Sequence, residues 1–346
     1  MRAMRYRTLG KTGITVSELC LGAMMYGPMG NPDHDDCVRQ IHHALDNGIN
    51  FIDTADVYSA GESEIIVGKA LRGRRDDVVL ATKFFSPMGT AHNMGGASRR
   101  WIEREVDESL RRLGTDHIDL YQCHRFPQNM DFEETLSALT DLQRKGKIRS
   151  FGSSAFPADR IVEAHWTSEK MGLGKLRCEQ LSYSILTREA EKYVIPACRR
   201  YGMGVIVYSP LGGGWLSGKY RDKTDFTPDT RVVRLASRWG GFDPDAEVNQ
   251  KRLEVAQRVH AIADEIGVGV ATLSVAWTLE HPGVTSAIIG PRTFAQLDSL
   301  LGAVDVEIPT EVLDAIDAIV PPGTKVSPVD PSSDPASLQP RHRRRR

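Results

Sequence analysis

The chain has 346 residues, with 40% hydrophobic and 26% charged side chains, the balance of an ordinary globular protein. Its formal net charge of −1 excludes overall steering toward nucleic acid or an anionic membrane, and no apolar run approaches the ~20 residues that span a bilayer. The dispersed cysteines (Cys20, Cys37, Cys123, Cys178, Cys198) contain no C-x-x-C pair, which argues against a disulfide frame or a zinc site, and the basic N-terminus lacks a signal-peptide core, so the cytoplasm is the expected compartment.

In chain order, the pattern opens with a hairpin. Short strand-like runs at 6–10 and 14–18 flank the turn Lys11-Thr-Gly13. Strand and helix patterns then alternate. Strands are expected at 18–22, 49–53, 78–83, 118–123, 148–153, 178–181, 204–209 and 284–289. Helices are expected at 35–47, 62–71, 98–113, 132–145, 158–170, 189–200, 249–266, 271–280 and 294–302. Eight βα units with Val/Ile-rich strands predict a parallel sheet closed as a (β/α)8 barrel. An open doubly wound sheet is the rival, but no G-x-G-x-x-G follows the first strand. The barrel domain is expected over 1–320. A Pro/Ser-rich, disordered tail is expected over 321–346, ending in the cluster Arg341-His-Arg-Arg-Arg-Arg346. Residues 210–248, after the seventh strand, are too long for an ordinary connection and predict a functional loop.

Chemistry gathers at the C-terminal ends of three successive strands. Asp53 ends the second and Tyr58 follows it, Lys83 ends the third, and His124 follows the fourth. A phenol with its ordinary pKa near ~10 is a poor proton donor at neutral pH. A lysine ammonium beside Tyr58 is expected to lower that value, with Asp53 holding Lys83 charged and His124 orienting a carbonyl oxygen. His42 and His43 are adjacent on a helix and point to different faces, so no metal site is expected.

These residues lie in motifs. Phe51-Ile-Asp-Thr-Ala-Asp-Val-Tyr58-Ser-Ala-Gly-Glu-Ser-Glu64, Leu80-Ala-Thr-Lys83 and Asp119-Leu-Tyr-Gln-Cys-His124 resemble the signatures of the aldo-keto reductase family. The resemblance spans roughly residues 5 to 320. It implies a catalytic tetrad of Asp53, Tyr58, Lys83 and His124, and hydride transfer between a nicotinamide cofactor and a carbonyl. It further implies a hairpin that plugs the barrel bottom, and cofactor contacts from Ser154, Gln180, Tyr208, Ser209, Leu211, Gly212, Gly290, Arg292 and Gln296. Ala155 and Leu300 replace the family's asparagines at two of these segments. Arg292 at a helix start suits a 2′-phosphate, so NADPH is expected, with NADH possible.

The expected substrate is a small-molecule carbonyl, without nucleic acid or membrane as partner. Tyr26, Phe84, Phe85, Phe126 and Trp215 form the expected aromatic pocket wall. The alternative is a cofactor-sensing, non-catalytic subunit resembling potassium-channel β subunits, which could keep the whole tetrad.

Overall fold

A computed structural model describes residues 3–126, 131–228, 230–236 and 241–326. The elements run β1 Tyr6–Thr8, β2 Thr15–Ser17, β3 Leu19–Gly22, α1 His34–Asp46, β4 Phe51–Asp53, α2 Glu62–Ala70, β5 Val79–Phe84, α3 Arg99–Leu113, β6 Ile118–Cys123, α4 Phe132–Arg144, β7 Ile148–Ser154 and α5 Ala158–Met171. They continue with β8 Cys178–Ser182, α6 Val194–Tyr201, β9 Gly204–Tyr208, α7 Arg231–Ala236, α8 Glu247–Glu265, α9 Val270–Glu280, β10 Ser286–Ile289, α10 Phe294–Leu301 and α11 Thr310–Ile319. Strands β3 to β10 pair in parallel in sequence order, and β10 returns to β3 through Ile288↔Cys20 to close the barrel. The expected (β/α)8 architecture is the observed one, and the open-sheet rival is excluded.

Strand parity sorts the side chains. Cys20, Phe51, Ala81, Leu120, Cys178, Ile206 and Ile288 point into the barrel. Their neighbours Leu19, Leu21, Ile52, Leu80, Phe84 and Tyr121 face the helix layer. Leu9 and Val16 of the hairpin join the inner cluster and close the floor. The hairpin reaches it because Gly10 turns at φ +54 and lies against the start of β9; a Cβ there would sit 2.4 Å from the Gly204 nitrogen. Two positions further along the same inward rows, the residues become Asp53, Lys83, Gln122 and Gln180. The barrel thus has an apolar floor and a polar mouth.

The structure departs from the sequence pattern in four places. The helix expected at 189–200 is a 3₁₀ turn, Glu189–Glu191, followed by α6 from Val194. The loop after β9 carries α7 and an aromatic cluster of Trp215, Tyr220, Phe226 and Phe242. Helix α11 is additional. Residues 321–326, expected in the disordered tail, pack onto the connection after β8: Val326 N–H donates to Leu186 C=O at 2.9 Å and Arg188 N–H to Thr324 C=O at 2.8 Å. The rest of that segment, 327–346 with its arginine cluster, lies outside the described residues. Among the described residues, no single helix is long and apolar enough to cross a membrane.

Candidate active site

Asp53 is the last residue of β4, and Lys83 and Gln122 are paired neighbours on β5 and β6, all on inward rows. Lys83 is fully buried and Asp53 nearly so. Lys83 Nζ donates to Asp53 Oδ1 at 2.5 Å, to Thr54 C=O at 2.7 Å and to Tyr58 Oη at 3.3 Å. The other Asp53 oxygen accepts from Gln180 Nε2 at 2.8 Å and Gln122 Nε2 at 3.2 Å. The carboxylate is therefore fully engaged and the ammonium is aimed at one phenol. His124 stands edge-on to Tyr58, with ring centroids 5.7 Å apart, and its Nδ1 is buried without a hydrogen-bond partner.

Behind this group lies a second layer built on Glu64, the last residue of the Phe51–Glu64 motif. Thr82 Oγ1 donates to Glu64 Oε1 at 2.6 Å, and Arg112 Nε donates to Glu64 Oε2 at 2.6 Å while pairing also with Glu105. This chain ties α3 through α2 to the residue before Lys83. Arg112 bonds Glu105 and Ser109 on its own helix, but its link to Glu64 gives no local signal in the sequence, because Glu64 is distant in the chain.

Burial disfavours the Lys83 ammonium, but Asp53 and Tyr58 outweigh it, and its pKa ends above the ordinary value. The expectation for Tyr58 is corrected in its net direction. Burial raises its pKa, Lys83 pulls the other way, and burial prevails. The phenol is thus a fully protonated donor whose anion is stabilised by an ammonium already in place. Burial, with Lys83 and Arg125, holds the His124 pKa well below its ordinary value, so the imidazole is neutral and can offer a hydrogen bond without charge.

Backbone strain collects around the same mouth. Ser59 and Ala60 (φ 51 and 54) follow Tyr58, Phe85 (φ 127) follows β5, Ala155 (φ 56) follows β7 and Ser209 (φ 56) follows β9. Left-handed non-glycine residues concentrated at strand ends mark a functional surface.

The cofactor candidates divide. Ser154 Oγ is buried without a partner, beside Gln180 across the β7–β8 pairing. Tyr208 ends β9 at the mouth, and Leu211 is half-buried. Gly212 (φ 57) donates its N–H to Ser209 C=O at 2.8 Å, and a Cβ there would meet Leu186 Cδ1 at 2.6 Å, so the tight turn favours glycine. Gly290 is exposed and Arg292 half-buried at the start of α10. Gln296 helps to cap α10, its Oε1 accepting the Arg292 N–H at 2.8 Å. Leu300, in an asparagine's place, is buried in the core.

Arg231 of α7 is a residue that sequence reasoning misses. Its guanidinium donates to Met25 Sδ at 3.2 Å and has no carboxylate partner among the described residues. Burial, then Arg234 and Arg292, lower its pKa. Uncompensated positive charge beside the glycine turn and the unpartnered Ser154 hydroxyl fit the diphosphate and carboxamide of a dinucleotide. Among the described residues there is no cluster of three metal-ligating side chains.

The aromatic wall is corrected at three positions. Phe84 faces outward onto Tyr121, 4.8 Å between centroids, because Lys83 takes the inward position on the same strand. Tyr26 is fully buried, with its hydroxyl influenced by Cys37 and Asp36 of α1. Trp215 is buried in the loop's own aromatic cluster. Phe85 and Phe126 stay half-buried after β5 and β6, with Phe126 packed edge-on against Phe156.

Two further buried acids shape stability. Burial, with Glu105 and Glu64, pushes Asp56 up to about 8, and burial pushes Glu179 up to about 8. The folded state keeps protons that the unfolded chain releases near pH 4, so this stabilisation is present at low pH and is lost as pH rises through about 8. Thermal melts should show a lower Tm at about pH 8.5 than at about pH 5.5, at up to ~1.4 kcal/mol per pH unit per group. Glu179→Gln should flatten part of that slope. A flat or rising Tm would contradict both assignments.

A sequence model of the aldo/keto reductase family matches residues 18–321. The chain is 39% identical to an uncharacterized oxidoreductase of Bacillus subtilis, YrpG, over 92% of this chain and 96% of that one. It is 34% identical to a probable voltage-gated potassium channel subunit beta of Arabidopsis thaliana, covering 92% and 97%. A putative subunit of the same kind from Schizosaccharomyces pombe is also 34% identical, covering 91% and 93%. With its barrel, its mouth residues and these likenesses, the chain belongs to the aldo/keto reductase family of oxidoreductases.

Proposed function

We propose that the protein reduces an aldehyde or ketone to an alcohol with NADPH, using Tyr58 as general acid. The observation that carries this reading is the Asp53–Lys83–Tyr58 chain, a buried ion pair ending on one phenol. His124 donates a hydrogen bond to the substrate carbonyl oxygen and fixes it near Tyr58. When bound, the reduced nicotinamide supplies a hydride to the carbonyl carbon. Tyr58 gives its proton to the developing alkoxide, and Lys83 stabilises the phenolate left behind. Ser154 and Gln180 would hold the carboxamide, Tyr208 would pack against the nicotinamide, and the 209–212 turn with Arg231 would take the diphosphate. The test is a steady-state panel of aldehydes and quinones with NADPH; turnover of several members is expected, and none on any of them would remove the reading. The cytoplasm is the proposed place of action, consistent with the five free cysteines.

Arg292 is the proposed 2′-phosphate partner. Arg292→Ala should weaken NADPH binding by ~1.5–3 kcal/mol, the range for a hydrogen bond to a charged group, and leave NADH little altered. Equal losses, measured by titration with each cofactor, would assign Arg292 to the fold or the diphosphate.

With Phe85 and Phe126 as the remaining aromatic wall, small aromatic carbonyls are the proposed substrate class. The ratio of kcat/KM for 4-nitrobenzaldehyde over glyceraldehyde should exceed one. A better sugar aldehyde would remove the aromatic pocket and keep the reductase.

A second reading is favoured by the relatives named as potassium channel β subunits: a regulatory subunit that senses cofactor state. Tight NADPH binding with no turnover would select it.

A further inference from the structure

The buried carboxyl of Glu179 has no part in the chemistry above. It is fully buried on β8, directly before Gln180, and its register partner is Ser153, directly before Ser154. By strand parity Ser153 and Glu179 share the outward face, while Ser154 and Gln180 face the barrel. Glu179 has no cation partner among the described residues. Its oxygens are used instead on one turn: Oε2 accepts the Ser153 hydroxyl, and Oε1 accepts the Phe156 N–H at 2.9 Å. The preceding N–H, of Ala155, donates to Gln180 C=O at 2.9 Å. Two consecutive residues of β8 thus bind two consecutive amides of the turn after β7.

That turn is strained. Ala155 stands at φ 56, a conformation that disfavours residues with a Cβ, and alanine has no polar side chain with which to bond its own loop. Nothing local to the sequence Ser153-Ser-Ala-Phe156 compensates for it. An acid buried without a cation, and pushed up to about 8 by that burial, is costly too. Two unfavourable features that meet in one hydrogen bond indicate a required geometry.

We propose that Glu179 is a positioning residue, whose carboxyl holds Ala155 in its left-handed turn and so fixes Ser154 beside Gln180 in the nicotinamide subsite. The proposal rests on the NADPH-binding reading above. Its mechanism is backbone placement: without the clamp, Ala155 relaxes toward ordinary φ, and the Ser154 hydroxyl leaves the carboxamide position.

The test measures NADPH affinity by quenching of protein fluorescence, with thermal melts in parallel. Glu179→Leu should raise Kd about tenfold, the worth of one well-placed hydrogen bond. Glu179→Gln keeps an amide oxygen to accept the Phe156 N–H, while its NH2 donates to the Ser153 hydroxyl in place of accepting from it, and should stay within about threefold of the unsubstituted protein. Ala155→Gly frees the turn from its Cβ penalty, so adding it to Glu179→Leu should restore most of the lost affinity. A lower Tm with unchanged Kd for Glu179→Leu, or no recovery on adding Ala155→Gly, overturns the positioning role. Should Glu179→Leu fail to fold, Ser153→Ala removes only the hydroxyl that orients the carboxyl and must still raise Kd; an unchanged Kd there overturns the role as well. Failure of the unsubstituted protein to bind NADPH overturns the proposed function together with this inference, whereas a failure confined to the variants overturns this inference alone.

Discussion

Tyr58→Phe is expected to slow carbonyl reduction at least ~10²-fold, the low end for general acid catalysis, with NADPH affinity almost unchanged. The hydroxyl gives its proton only as negative charge develops on the carbonyl oxygen, so its loss acts on the transition state and not on the bound cofactor. The ring itself should stay in place, because its edge-on packing with His124 does not involve the hydroxyl. Steady-state kcat and a cofactor titration on the same preparation check this. Unchanged turnover would remove Tyr58 from the mechanism. A parallel loss of cofactor affinity would make it a packing residue.

Lys83→Met should be as damaging to rate and far more damaging to stability. Its ammonium stabilises the Tyr58 phenolate from 3.3 Å, so a loss of at least ~10²-fold is expected here too. Removal also strands the Asp53 carboxylate, which is nearly fully buried. Breaking one side of a buried ion pair costs about 3–5 kcal/mol. The Gln122 and Gln180 amides still bond Asp53 and soften that figure. Adding Asp53→Asn to Lys83→Met removes the stranded charge, and stability should partly return while activity does not. Urea unfolding and kcat for the two single variants and the double variant separate these effects. Recovery of activity in the double variant would mean that the ammonium serves only to neutralise Asp53.

The fold was legible because parallel barrel strands are short, Val/Ile-rich and separated by helices of regular period. The juxtaposition of Asp53, Tyr58, Lys83 and His124 was legible because strand ends place chain neighbours such as Asp53 and Tyr58 on one rim. Gln122 was readable too: strand period two puts it on the row of Leu120, facing inward beside Lys83. The same parity puts Phe84 outside, and an aromatic next to a candidate lysine is therefore a poor guide to a pocket wall. Arg231 was hidden for a different reason. It opens the six-residue α7, too short for a readable period, and its neighbours Met25 and Arg292 follow other strands. Glu64 and Arg112 meet only through the packing of α2 on α3. Helix α11 carries the apolar spacing Val312, Leu313, Ile316, Ile319, a helical face that the eight-unit barrel pattern does not require. The direction of the Tyr58 pKa needed the structure, because burial, which no sequence spacing reports, outweighs the nearby ammonium.

A single-turnover experiment tests whether Tyr58 protonates a carbonyl reduced by bound NADPH. The protein is loaded with NADPH, mixed rapidly with excess 4-nitrobenzaldehyde or a quinone, and the absorbance of the reduced nicotinamide is followed. One equivalent of bound NADPH should be lost, at a rate at least ~10²-fold lower in Tyr58→Phe. Bound NADPH that no carbonyl consumes, or equal rates in the two proteins, would contradict it.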